Sequence, residues 1–312
     1  MKSLLLFLLA TTFVFAQATP KMHEVPLLTC SGLPCVELTS QSVNVMRVAI
    51  DLASVNGYLD IRAAQARGLT LEPLKGVSGA DVTAVQQTVV PGAKLGDLQL
   101  GDFPFMVLDL AADPTQSNKK RSAVFPADGA LAFGSFKNRI LQIDWNRKVV
   151  RISEPLADDR PCPRDCGDLK PEHLGRYGPL TLTATGFQVN GYDVTSQIDT
   201  LFTGTMVVYP SAIDKVGMRE LSRTKHKEEF PFFQNGVKLG EADGATFAFH
   251  GDTVFPGAPL YFWSAKDLQV PNVSFDASTG TALMSRTLVT FDFKSNHIWI
   301  ESPANSISGQ SP

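Results

Sequence analysis

The sequence predicts an all-β protein made of two similar halves. Three observations carry that expectation. A stretch in the middle of the chain recurs near its end at a constant spacing. The surrounding segments are short runs of β-branched and aromatic residues, not long stripes of helical period. The 24 glycines and 20 prolines are spread along 312 residues, as frequent turns require, instead of gathering in a low-complexity block.

The repeat organises everything else. Asp128-Gly-Ala-Leu-Ala, Ile140-Leu-Gln-Ile-Asp144 and Val150-Arg-Ile152 return as Asp276-Ala-Ser-Thr-Gly, Leu288-Val-Thr-Phe-Asp292 and Ile298-Trp-Ile300, each 148 residues later and without gaps. The same offset carries Asp51 onto Asp199. Each follows an isoleucine, in Val48-Ala-Ile-Asp51 and Ser196-Gln-Ile-Asp199. Short helical patterns come next, over 60–69 and 210–218.

The elements follow in order. Lys2, the apolar run Leu4–Ala16 and the small-residue site Ala16-Gln17-Ala18 make residues 1–18 a secretory signal peptide. No later stretch is long and apolar enough for a membrane helix. The expected product is an exported protein, periplasmic or extracellular, with no membrane anchor. Residues 19–42 are an N-terminal segment and 43–153 the first lobe, where Leu98–Leu108 reads as a strand. Residues 154–178 are a linker rich in proline and charge. Residues 179–302 are the second lobe, with strands at 246–250 and 260–263, and 303–312 are a flexible tail. Asp144 and Asp292 each open a turn, where an aspartate bonds its own backbone.

Composition excludes some partners. Lys+Arg is 28 against Asp+Glu 31, a net charge of −3. No broad positive field exists to hold nucleic acid. The four cysteines, Cys30, Cys35, Cys162 and Cys166, are expected as disulfides in an exported chain, with local and crossed pairings both open. The five histidines, His23, His173, His226, His250 and His297, show no metal-binding spacing. No metal or cofactor is expected.

Two carboxylates held side by side do not both ionise easily. They share one proton, and the pair can activate water while polarising a carbonyl. A duplicated fold with a pseudo-two-fold axis brings two equivalent aspartates together. The alternative is that each aspartate caps the turn after its strand.

Ile198-Asp199-Thr200-Leu201-Phe202-Thr203-Gly204 resembles the active-site strand of the retropepsin/pepsin-like aspartic proteases, hydrophobic-Asp-Thr-Gly. Asp128-Gly129-Ala130-Leu131-Ala132 is similar to the later segment that packs under that turn in the family. The resemblance spans about 43–153 and 188–301. It implies two β-barrel-like lobes of the pepsin/retropepsin type with a cleft between them. It also implies a catalytic pair, Asp51 and Asp199, supported by Thr200 and Ser54, with a flap near Ser78 and Gly79. The motifs depart from the family at Leu52, Ala53 and Leu201. Both motif glycines, which let backbone N–H groups approach the carboxylates, are replaced, and Leu52 deprives Thr200 of a threonine mate across the interface. Leu201 adds bulk beside the pair.

Two functions follow from these residues. One is an exported aspartic endopeptidase acting on peptide or unfolded protein, a monomer with pseudo-two-fold lobes. The other is a catalytically silent protein of the same fold that binds peptide or another ligand in the cleft.

Overall fold

Runs of β-branched and aromatic residues become strands almost throughout. The computed structural model describes residues 20–41, 43–74, 86–110, 124–163, 165–174, 179–233, 237–263 and 273–301. The expected signal peptide, the flap candidates Ser78 and Gly79, and the expected tail lie outside the described residues.

The first half begins with β1 (Met22–Pro26), β2 (Leu28–Cys30), β3 (Leu33–Thr39), β4 (Met46–Asp51) and β5 (Tyr58–Asp60). Helix α1 (Ile61–Ala66) follows, then β6 (Glu72–Pro73), β7 (Gln86–Leu95), β8 (Leu98–Leu108), β9 (Gly129–Ala132), β10 (Ile140–Asp144) and β11 (Val149–Ser153). The second half holds β12 (Gly167–His173), β13 (Leu180–Val189), β14 (Tyr192–Ile198), β15 (Met206–Val208), β16 (Lys227–Phe230) and β17 (Val237–Phe249). It ends with β18 (Asp252–Phe262), β19 (Ala277–Thr279), helix α2 (Thr281–Met284), β20 (Leu288–Asp292) and β21 (His297–Glu301).

Each half curls on itself. In the first, β2-β3-β4-β9-β5-β8-β7-β6 form one sheet, and a β3–β7 pairing closes it. In the second, β13-β14-β19-β15-β18-β17-β16 do the same through β13–β17. Between the lobes lies a six-stranded layer, β1-β11-β10-β20-β21-β12. At its centre β10 and β20 run antiparallel with Gln142 opposite Thr290. These two residues are 148 apart and joined by a hydrogen bond from Gln142 Nε2 to Thr290 Oγ1 of 3.1 Å. The pseudo-two-fold axis therefore passes between them.

The duplication reaches down to single bonds. Parallel pairing of β4 with β9 sets Val48 opposite Gly129, and that of β14 with β19 sets Ser196 opposite Ala277. Asp128 accepts the backbone N–H of Arg47 at 2.9 Å, and Asp276 that of Thr195 at 3.0 Å. Arg67 and Lys215, also 148 apart, pair with the same two carboxylates. Asp144 accepts the N–H of Arg147, and Asp292 those of Lys294 and Ser295, so both form the turns that the sequence suggests. Both turns end in the left-handed region, at Lys148 (φ 54°) and Asn296 (φ 60°).

Three details differ from expectation. The helical pattern over 210–218 folds as successive turns rather than a helix, closed by Gly217 in the left-handed region (φ 68°). Its counterpart forms α1 because the Asp60 side chain caps it by accepting the N–H of Arg62. Residues 22–39, expected as a leading segment, form β1, β2 and β3, and the 154–178 linker contains β12. Of these, β1 and β12 extend the central layer beyond β11 and β21, while β2 and β3 join the sheet of the first lobe.

Apolar side chains of both lobes and the central layer make one continuous core, from Val36 and Leu131 through Ile143 and Phe291 to Phe247. A second cluster in the second lobe is largely aromatic and includes Phe202, Phe233, Tyr261 and Trp263. The disulfides are local, Cys30–Cys35 and Cys162–Cys166, which fits an oxidising environment. No described helix is long and apolar enough to cross a membrane.

Candidate active site

Strand β4 ends at Asp51 and strand β14 stops just short of Asp199. Both carboxylates turn into the interface between the lobes, 2% and 5% exposed. Each chain then makes the same tight turn. The N–H of Ala53 donates to Asp51 Oδ1 at 3.0 Å, and the N–H of Leu201 to Asp199 Oδ1 at 3.0 Å. These are the positions where the resemblance calls for glycine. Neither residue adopts positive φ, so the turn does not demand one, and the N–H groups still reach their carboxylates.

Glycine is required instead beneath the second turn. A Cβ on Gly280 would lie 2.3 Å from the Gly204 carbonyl oxygen and 2.4 Å from that of Phe202. The equivalent position in the first lobe, Ala132, carries a side chain. The loops are otherwise tied down alike, Phe133 N–H to Ser54 O and Thr281 N–H to Phe202 O.

Among the described residues the Thr200 hydroxyl bonds backbone rather than either aspartate. Its Oγ1 donates to the carbonyl of Ile50 and accepts the N–H of Leu52 at 3.0 Å, both in the other lobe. It braces the two loops against one another rather than the carboxylates. The absent threonine at Leu52 leaves this half of the brace intact, because Thr200 bonds backbone. Leu52 itself is buried in the main core. Leu201 packs against the first-lobe cluster of Cys30, Cys35, Ala49, Tyr58 and Ala130, spanning the interface.

The two carboxylates are not equivalent. Ser54 Oγ donates to Asp51 Oδ2 at 2.7 Å, and the Tyr58 hydroxyl donates to the same oxygen at 3.0 Å. The 148-related residues are Phe202 and Met206, which have no hydroxyl to offer. Among the described residues Asp199 receives only backbone N–H groups, from Leu201 and from Phe202 at 3.2 Å. Burial pushes the Asp51 carboxyl above its ordinary range, while the donors from Ser54, Tyr58 and Ala53 pull it back. Burial, and then the charge on Asp51, push Asp199 up to about 7. Among the described residues neither has a cationic partner. Between the two titrations the arrangement favours one negative charge on Asp51 and one proton on Asp199.

Tyr58 was not singled out from sequence. It heads β5 after the Asn56-Gly57 turn, seven residues past Asp51, and only the pairing of β5 with β8 and β9 returns it to that carboxylate. Its ring lies 6.2 Å from that of Phe125, which in turn meets Phe232 of the second lobe at 6.3 Å.

No known family profile matches the chain, and no curated protein is similar to it in sequence. Solved structures are similar in fold. The aspartic proteinase from Irpex lacteus superposes with a TM-score of 0.50 at 9% identity, covering 93% of this chain and 100% of that one. Basic 7S globulin from soybean gives a TM-score of 0.47 at 12% identity, covering 94% and 98%. This chain has the all-β, two-lobed, pepsin-like fold.

Proposed function

We propose that the chain is an exported aspartic endopeptidase, acting on peptide or unfolded protein outside the cytoplasm. The observation that carries this reading is the unequal pair: two buried carboxylates on 148-related turns, one with hydroxyl donors and one without. Asp51, held ionised, takes a proton from a water molecule as its oxygen bonds to the scissile carbonyl carbon. Asp199, protonated, donates a hydrogen bond to the carbonyl oxygen where negative charge develops. Collapse of the tetrahedral intermediate breaks the C–N bond, and the proton held by Asp51 passes to the leaving nitrogen. Neither metal nor covalent intermediate is needed.

The expected result is cleavage of unfolded protein at acid pH, sensitive to pepstatin and lost in both Asp51→Asn and Asp199→Asn. Absence of any cleavage between strongly acidic and neutral pH overturns the enzyme.

A second reading has its own support. Leu201 and the ring series Tyr58, Phe125 and Phe232 span the lobes beside a pair that is already almost fully covered. That favours a silent protein holding an extended ligand between its lobes. Such a protein would bind unfolded peptide equally well with Asp199 replaced by asparagine, and would cut nothing.

A further inference from the structure

The histidines look scattered in sequence, yet the fold brings one of them to a cysteine pair. Cys166 immediately precedes β12, and His297 begins β21, the strand paired to it through Asp168. The loop bearing Cys162 is fastened to the β20–β21 turn by the Arg160 N–H, which donates to Ser295 Oγ at 2.7 Å. Leu169 N–H donates to Asn296 O at 2.9 Å and fixes the same turn against β12. As a result both sulfurs and a ring nitrogen of His297 lie within 4.8 Å of one another. Among the described residues no other trio of potential ligands gathers so closely. His297 Nδ1 is also buried and has no hydrogen-bond partner. A buried imidazole nitrogen without a partner needs explaining, since such groups are nearly always satisfied.

We propose that Cys162, Cys166 and His297 form a reversible, redox-gated site for a zinc-class cation. In the oxidised form the sulfurs are bonded to each other and offer no thiolate. A dithiol reductant transfers two electrons and two protons to the Cys162–Cys166 bond and leaves as its own cyclic disulfide. The two thiols then lose their protons to the solvent as the cation binds. Neutral His297 adds a nitrogen lone pair, and water completes a tetrahedral set. Two thiolates and one imidazole suit a borderline-soft ion and discriminate against calcium or magnesium. The three-residue spacer between the cysteines is within the range that zinc ligands use. Among the described residues the Cys30–Cys35 pair has no such partner; it is buried in an apolar cluster.

The test uses the full mature chain, reduced with excess dithiothreitol, freed of reductant under argon and titrated with Cd²⁺. Expected is one sulfur-to-cadmium charge-transfer band saturating at one ion per chain, absent before reduction. Reduced Cys162→Ser should lose the band. His297→Gln should bind at least about tenfold more weakly, a loss no smaller than outer partners alone cause. The proposal is overturned if the reduced chain shows no band. It is overturned equally if Cys162→Ser retains it, which would place the ion at Cys30 and Cys35, or if His297→Gln binds as tightly. Cadmium NMR of the unmutated protein gives a readout independent of any variant's folding, with two sulfurs and one nitrogen expected and a sulfur-only shell contradicting the site.

Discussion

Leu52 donates its backbone N–H to Oγ1 of Thr200, the residue exactly one repeat length away, across the boundary between the lobes. The same oxygen donates to the Ile50 carbonyl. One hydroxyl thus serves two buried backbone groups of the opposite loop. Thr200→Val should leave both unpaired and cost about 2–4 kcal/mol of stability. Thr200→Ser should keep most of it. Urea denaturation of the two variants checks this, and a Thr200→Val protein as stable as the wild type would show that the hydroxyl contributes nothing.

The dyad should need both carboxyl groups, one as base and one as acid. Asp51→Asn and Asp199→Asn should each lower peptide cleavage by roughly a hundred- to ten-thousandfold. Initial rates on an unfolded substrate at acid pH are the measurement. Because Asp199 holds its proton up to about 7, wild-type activity should fall as pH passes that value.

Stability should carry the same signature. Asp199 has a folded pKa of about 7 against an ordinary 3.8, so the native state binds the proton more tightly than the unfolded chain. Its contribution is complete below about 4 and is lost as pH rises to about 7. Melting temperature should therefore decline over that window in the wild type. The wild-type minus Asp199→Asn difference isolates this group; a flat difference contradicts the buried, proton-bearing assignment.

Tyr58 should tune the partner carboxylate. Tyr58→Phe removes a donor from Asp51 Oδ2 and raises the Asp51 pKa. The acid limb of the cleavage profile should move to higher pH while the upper limb stays. Carbon NMR of the carboxyl groups reads the same shift even if no substrate is cut.

Beneath the second turn there is no room for a side chain. Gly280→Ala should cost about 2 kcal/mol or more, since its methyl meets two carbonyl oxygens. Ala132→Gly at the equivalent place should cost only about 1 kcal/mol. Denaturant midpoints compare the two.

Much of this was legible in the chain. The offset of 148 sets the β4–β9 and β14–β19 registers and identifies Asp51 and Asp199 as equivalents, because a duplicated sequence repeats its hydrogen bonds. The motif glycines misled in one respect. Ala53 and Leu201 deliver their N–H groups from ordinary backbone conformations, which a one-letter comparison does not reveal. Thr200 bonds backbone, and backbone groups carry no sequence signal. Tyr58 and His297 reach their sites through strand pairing over long separations, so no local spacing announces either. The turns at 210–218 replace a helix where the apolar period was right but the cap was missing.

The Gln142–Thr290 pair has a consequence for the molecule's divisibility. Severed from the second half, the first would present β10 as a bare edge. The surface that best fits that edge is the β10 of another severed half, glutamine facing glutamine. Two such fragments would rebuild the axis but not the unlike pair, since both acids would then sit in Asp51's surroundings, each with its own serine and tyrosine.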